Sequence, residues 1–446
     1  MRNSYAIVNQ FIGDLFRYLA ASGFLKNVAK LAGSTALSQI ILILASLILT
    51  RLYTPENFGV LAIFTSLFGQ AVVLTSFCYE WIIPLAEEED EAIDVLLFSL
   101  ILTIFTSIIF TIIIGIYGHN IALWANSPAS EPFLWLLPIV IFFGGLYQNF
   151  NYWSLREKAF GLIARTKLAQ SLWTTGTQIT LGLLAQGSLG LLIGYLLTQV
   201  VGIWQQAVFF WSNHHAQVKL VSFTRIATVG RKYFNYALTS GTSTFVYATG
   251  SAVPSLLLSS FYGTSSVGSF SVAQRLTSIP VVIVGAALSQ VFLSHAAEMI
   301  RKDPEELKRL FLKTSLLLFA ASLLIGSIVL ASPLVFPIIF GKVWIESGFM
   351  AQAMVPMFVF SMAIAPLSIL EWVGKQSWML GWNIVRLGLF WLGFWIAHLN
   401  DWSATTAIFT YSVTTAIMYL ILWMLNFYSI CLLIDKQASV RSFDCD

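Results

Sequence analysis

Apolar residues run through this chain in long blocks, and the polar positions fall between the blocks rather than alternating with them. A hydrocarbon core about 30 Å thick needs about 20 apolar residues in one helix. Cutting the blocks at charged or turn-rich breaks predicts twelve helical spans, at 30–50, 58–79, 93–117, 132–153, 165–185, 189–211, 235–260, 266–295, 311–331, 350–371, 377–397 and 404–427. The stretch 331–350 is broken by Pro333, Pro337, Gly341 and Gly348 and reads as a short loop or re-entrant piece. Before the first block, Ile7, Phe11, Leu15, Tyr18 and Leu19 share one helical face. Gln10, Asp14 and Arg17 interrupt the apolar core that a cleaved signal would need, so residues 1–25 predict a helix lying on the membrane surface.

Composition agrees. Of 446 residues, 57% are hydrophobic and only 10% charged, against about 25% charged in a soluble domain. A chain this apolar cannot cover itself with polar surface. It reads as an all-α polytopic membrane protein. The net charge of +3 is too small and scattered for nucleic acid. Cys78, Cys431 and Cys445 have neither disulfide nor zinc spacing.

Charge fixes a sidedness. Twenty of the 24 Lys and Arg fall on one side of the predicted topology and only Arg51 and Lys342 on the other. Basic residues stay cytoplasmic, so the split predicts both termini in the cytoplasm. The acidic run Glu87 to Glu91 with Asp94 falls on the same side, where acids have little say in orientation.

The chain also reads as duplicated. At a shift of 209, Leu47 to Tyr53 meets Leu256 to Tyr262, and Phe58-Gly59 meets Val267-Gly268. Two parallel six-helix lobes follow, at 26–212 and 233–434. A basic cytoplasmic linker at 213–232 joins them and a tail occupies 435–446. Internal repeats of this kind suit alternating access around a central cavity.

Arg275 and Arg386 fall inside spans eight and eleven, beside Gln274 and Asn383. An Arg at a helix centre costs about 2.5–3.5 kcal/mol on insertion scales, so neither faces lipid. One reading makes them the cationic wall of a cavity for anionic cargo; the other has them capping carbonyls or bridging to a carboxylate. Arg51, Glu80, His295 and Glu371 lie near span ends. Arg51 joins Arg275, Arg386, Gln274 and Asn383 as a cavity candidate, but for Arg51 and Glu371, nearer the interface, the structural reading is favoured. Glu80, Glu371 and His295 are candidates for ion coupling or gating. Glu80 suits a proton carrier, because burial raises a carboxylate's pKa; a lobe-closing salt bridge is the alternative. No phosphate loop occurs, since Gly341-Lys342 is followed by Val343 and Gly374-Lys375 by Gln376. No G-x-S-x-G elbow occurs either, and His214-His215 is not a metal spacing. The reading is a transporter, not an enzyme, with no cofactor beyond an ion gradient.

Leu49-Thr50-Arg51-Leu52-Tyr53-Thr54-Pro55-Glu56-Asn57-Phe58-Gly59 resembles the signature joining the first two helices of Wzx-type polysaccharide flippases, in the multidrug/oligosaccharidyl-lipid/polysaccharide (MOP) exporter superfamily. Tyr79-Glu80 is similar to that family's end of helix two, although Cys78 stands where the family usually has Arg. Ala273-Gln274-Arg275-Leu276 to Pro280, Phe340-Gly341-Lys342-Val343-Trp344 and Pro366-Leu367-Ser368 resemble later family motifs. The resemblance implies a twelve-helix, two-lobe fold in the bacterial inner membrane. It implies a cargo of oligosaccharide linked by diphosphate to a polyprenol, flipped to the periplasmic leaflet for O-antigen, capsule or exopolysaccharide. A proton or sodium gradient would drive it. Membrane lipids, a polymerase and a chain-length regulator are the implied partners. Rival readings are a cation-coupled multidrug exporter or a lipid II flippase of the same fold, and a polytopic polymerase or glycosyltransferase acting on lipid-linked sugars. The drug exporter would want carboxylates deep in the cavity, where this chain carries Arg. The enzyme would want a catalytic periplasmic loop, and 118–131 offers only His119 and Glu131.

Overall fold

The computed structural model describes residues 23–218, 222–278, 303–370 and 373–443, together with 292, 296, 299 and 300. The expected surface helix at 1–25 therefore lies almost wholly outside the described residues. So do His295, Glu371 and the later part of span eight.

All regular elements among the described residues are helices. The first set is α1 (Gly23–Leu52), α2 (Pro55–Leu74), α3 (Glu89–Trp124), α4 (Leu137–Arg156), α5 (Phe160–Leu183) and α6 (Ser188–Val218). A short α7 (Phe223–Lys232) follows, then α8 (Phe234–Tyr262) and α9 (264–278). The chain ends with α10 (Pro304–Val329), α11 (Ser332–Ile339), α12 (Ile345–Ala353), α13 (Val355–Ile364), α14 (Gln376–Leu399) and α15 (Ala404–Phe443). Among the described residues, a helix stands at the place of each predicted span, with only 264–278 described for the eighth. Eight of these are long and apolar enough to cross a membrane, and a ninth is a pair, Lys342–Ala353 with Val355–Leu367, bent by 50°. The stretch 331–350 is no span: α11 and a turn at Lys342–Trp344 occupy it, and the tenth helix already starts at Ile345.

Several ends run past their expected positions. The 36-residue α3 reaches Trp124, a length of about 54 Å at 1.5 Å per residue, well over the roughly 30 Å of hydrocarbon. Helix α6 continues to Val218, into the expected linker, and α15 continues to Phe443, through most of the expected tail.

Local sequence explains the turn between α1 and α2. Thr54 is extended (φ −83°, ψ 164°) and accepts from the Asn57 backbone N–H, while the Asn57 side chain accepts from Thr54 N–H. Pro55 opens the helix, where its missing N–H costs nothing. Tyr53 then donates to the Gln178 carbonyl at 2.6 Å. At the matching place in the second half, Gly263 (φ +84°) ends α8.

The two halves meet at positions related by the 209-residue shift. A Cβ on Gly59 would lie 1.9 Å from the Thr264 carbonyl oxygen, and one on Gly268 would lie 1.7 Å from that of Pro55. Helices α2 and α9 thus cross where only glycine fits. Around this crossing the bonds pair up. The end of α1 meets the turn after α11: Arg51 donates to the Ile339 carbonyl (3.0 Å), and Trp344 Nε1 donates to the Thr50 carbonyl (2.8 Å). The end of α8 meets the end of α3: Ser259 donates to Ala125 O, and Ser260 donates to Trp124 O at 2.9 Å.

At the opposite end, α7 is pinned to the acidic start of α3. Arg225 pairs with Asp94 (2.9 Å) and Asp90 (3.4 Å), and Lys232 pairs with Glu91. Gln217 donates to Glu89 at 2.9 Å, and His214 lies 3.0 Å from the same carboxylate. A single residue, Tyr233, separates α7 from α8.

Candidate functional site

Helix α5 carries an unusually polar face: Thr166, Lys167, Gln170, Ser171, Thr174 and Gln178. Burying it needs partners for each group, and α6 supplies those of Thr166, Gln170, Thr174 and Gln178. Gln170 Nε2 donates to the Thr198 carbonyl (2.7 Å), Thr174 and Thr198 share a hydroxyl–hydroxyl bond (2.6 Å), and Gln178 Nε2 donates to the Leu191 carbonyl (3.1 Å). Two glycines on α6 make room. A Cβ on Gly194 would lie 2.4 Å from Gln178 Cγ, and one on Gly202 would lie 2.5 Å from Gln170 Nε2.

This face forms one wall of a cavity of about 470 Å³. Helix α1 contributes Thr35, Ser38 and Gln39; α2 contributes Phe58, Thr65 and Ser66; α6 contributes Tyr195 and Thr198. The second half closes it with Ser251 and Ser255 of α8 and Ser271, Gln274 and Arg275 of α9. Two of the lining residues are charged, Lys167 from the first half and Arg275 from the second, and no carboxylate lines the cavity among the described residues. Lys167 Nζ donates to Thr35 Oγ1 at 3.2 Å, which aims it along the wall. The remaining lining is hydroxyls and amides on an apolar frame. Such a surface suits a ligand with negative charge and many hydroxyls.

The candidates from the sequence separate. Arg275 and Gln274 line the cavity together. Arg386 and Asn383 do not. Arg386 sits 7% exposed on α14, with its guanidinium 4.6 Å from the Trp382 ring and 5.8 Å from those of Tyr247 and Phe390. Asn383, one turn earlier, donates to the Met379 carbonyl at 3.1 Å. Arg51 is exposed and tied to the Ile338 and Ile339 carbonyls, away from the cavity lining. Lys167 was missed. In sequence it stands at the start of span five and counts with Arg156, Lys158 and Arg165 toward the cytoplasmic charge, but α5 begins at Phe160 and carries Lys167 two turns inside. The signal was the spacing Lys167, Gln170, Thr174 and Gln178, a polar stripe at helical period.

Glu80 lies outside the spans, on a short turn after α2, and is 2% exposed. Phe77 (φ +48°) and Cys78 (φ +63°) bring it there through left-handed backbone that non-glycine residues seldom adopt. Ser76 donates to the carboxylate. Burial pushes the Glu80 carboxyl up to about 7, against the lowering pull of that hydrogen bond. No basic side chain pairs with it among the described residues, so the salt-bridge alternative has no partner there. The turn also abuts the other half: a Cβ on Gly241 of α8 would lie 3.4 Å from the Phe77 carbonyl oxygen.

Residues 48–349 match the family described as polysaccharide biosynthesis protein, about two thirds of the chain. The chain belongs to that family. A comparison with curated proteins found no match. Among solved structures, the fold resembles an inward-facing multidrug resistance MATE family transporter of the MOP superfamily (TM-score 0.66, 16% identity, covering 89% of this chain and 96% of that one). It also resembles the lipid II flippase MurJ in an inward closed conformation (TM-score 0.65, 14% identity, 92% of each chain). An outward-facing MATE transporter is a poorer fit (TM-score 0.53, 16% identity, 92% and 96%). The chain therefore shares its helical fold with these MATE and MurJ structures.

Proposed function

We propose that the chain flips a polyprenyl-diphosphate-linked oligosaccharide repeat unit from the cytoplasmic to the periplasmic leaflet of a bacterial inner membrane, for surface polysaccharide synthesis. On this reading twelve helices cross, both termini are cytoplasmic, and the Gly59–Gly268 crossing seals the periplasmic end. Two long described helices, α5 and α8, fall short of the hydropathy of a simple span. Helices that line a wet cavity trade apolar residues for Ser, Thr and Gln.

The carrying observation is the cavity between the halves with Lys167 on one wall, Arg275 on the other and no described carboxylate. A diphosphate can bridge these cations, and the guanidinium's planar fork suits phosphate oxygens. The Ser, Thr and Gln lining offers partners to sugar hydroxyls. Membership of the polysaccharide biosynthesis family supports the glycan, and the MOP fold supports alternating access. The better fit to inward-facing relatives supports a state open toward the cytoplasm. Glu80 is the proposed proton-responsive group. Coupling to a proton or sodium gradient and contact with a polymerase and chain-length regulator belong to the same proposal.

The test is the leaflet distribution of lipid-linked repeat units in a deletion strain carrying wild-type, Arg275→Ala or Lys167→Ala chains. Units trapped on the cytoplasmic side in both variants are expected. Units that reach the periplasm but stay unpolymerised would replace transport by an enzymatic role. Unchanged glycan with new drug sensitivity would point to a multidrug exporter.

A further inference from the structure

Arg386 lies apart from the cavity lining, and its charge meets no carboxylate among the described residues. Its Nε is buried without an acceptor. The faces of Trp382, Tyr247 and Phe390 surround the guanidinium at 4.6–5.8 Å. Ring faces attract a cation, but they accept none of its five N–H donors in the plane of the fork. On the α8 side the approach is close: a Cβ on Gly250 would lie 2.8 Å from Arg386 Nη2. Three residues earlier on α14, Asn383 Oδ1 is also buried without a donor. One helix face thus carries an unmet cationic donor, walled by aromatic rings, and an unmet acceptor one turn away.

We propose that Arg386 holds a compact anion inside the second half, at a site walled by Tyr247, Trp382 and Phe390 and separate from the Lys167–Arg275 cavity. The anion accepts from the guanidinium, and a hydroxyl or water it carries donates to Asn383 Oδ1. Tyr247 is the entry side. It is half exposed and stands one and two helical turns before Ser251 and Ser255, which line the cavity. Two sources share this chemistry: a free anion such as chloride, or the acidic group of a sugar in the cargo. The site does not depend on the cargo proposed above; only the second source does.

The test is thermal unfolding of the purified full-length protein, free of cargo, in a bulky sulfonate buffer at constant ionic strength. Chloride and glucuronate are titrated separately, with glucose as the neutral control. A saturable rise in Tm is expected for at least one anion, in wild type and equally in the Lys167→Ala/Arg275→Ala double variant. Arg386→Met should abolish it. Gly250→Ala, which crowds the guanidinium but keeps the charge, should weaken the apparent affinity about tenfold or more. A chloride response assigns a free anion, and a response to glucuronate alone assigns the cargo's acidic sugar. No saturable response to either anion would overturn the site. So would a response that survives Arg386→Met or disappears in the cavity double variant. If Arg386→Met does not fold, an unchanged midpoint in Gly250→Ala overturns it instead.

Discussion

Gly59 and Gly268, 209 positions apart, each receive the first carbonyl of the other's helix, at would-be Cβ distances of 1.9 and 1.7 Å. Gly59 faces Thr264, and Gly268 faces Pro55, the residue that matches Thr264 under the same shift. The contact is therefore reciprocal, as an axis relating two repeated halves requires. Backbone cannot rotate away as a side chain can. Gly59→Ala or Gly268→Ala should force the halves apart at this end, with an overpacking cost of about 1–3 kcal/mol or more. Purified variants should unfold at lower temperature, and a cysteine at Asn126 should label faster with maleimide. Unchanged labelling and Tm in both variants would remove the seal.

Lys167 and Arg275 come from different halves and face one cavity. If one diphosphate engages both, losing either cation removes a charge-assisted contact, with transport expected to drop about tenfold or more. The double variant should fall short of the product of the two single losses, because the contacts share a ligand. Arg275→Lys should keep part of the activity, since it keeps charge without the fork. Transport into vesicles of known leaflet composition measures all four. Independent, multiplying losses would separate the two cations.

Glu80 predicts a pH dependence with a definite sign. Its carboxyl is raised from the ordinary 4.5 to about 7. Between those values the folded protein keeps a proton that the unfolded chain has released. Stability must therefore fall as pH rises through this window and level off above about 7. Glu80→Gln should flatten the slope between about pH 5 and 7 and hold the turn at high pH. Chemical denaturation across pH 4.5–8 is the measurement. An equally steep slope in Glu80→Gln assigns it to other groups.

The pairing of Arg225 with Asp94 and Asp90 should hold α7 to α3. Asp94 is buried while Arg225 is half exposed, so removing the cation strands a carboxylate. Arg225→Ala should destabilise by about 1–3 kcal/mol. A reversed pair, Arg225→Asp with Asp94→Arg, should restore part of it. Protease nicking near residue 222 provides the readout. Equal nicking in the single and reversed variants would dissociate the clasp from this pair.

Helices were legible in the sequence because the membrane imposes one length and one polarity. The apolar runs that α3, α10 and α15 supply need no knowledge of neighbours. Their ends were not legible. Helix α3 continues past His119 because nothing in Gly118-His119-Asn120-Ile121 breaks a helix, whatever the thickness of the hydrocarbon. The cavity was half legible. Arg275 stood out as a charge inside an apolar run, whereas Lys167 hid at the end of the basic cluster Arg156, Lys158 and Arg165, at the very start of predicted span five. Arg386 looked equivalent to Arg275 in sequence. Only packing distinguishes them, because α14 turns Arg386 toward Trp382 and Tyr247 while α9 turns Arg275 toward the opposite half.

The pinned α7 changes what kind of joint the two halves share. A twenty-residue connection would behave as a slack tether and permit almost any relative displacement. With α6 running on to Val218 and α7 fastened by Arg225 and Lys232, the slack beyond α7 shrinks to Tyr233. Its backbone N–H is bonded to Val229 O, and Ala237 N–H to its own carbonyl. The second half is thus joined to the first through a short, hydrogen-bonded elbow held against the acidic start of α3, at the end of the molecule opposite the Gly59–Gly268 crossing.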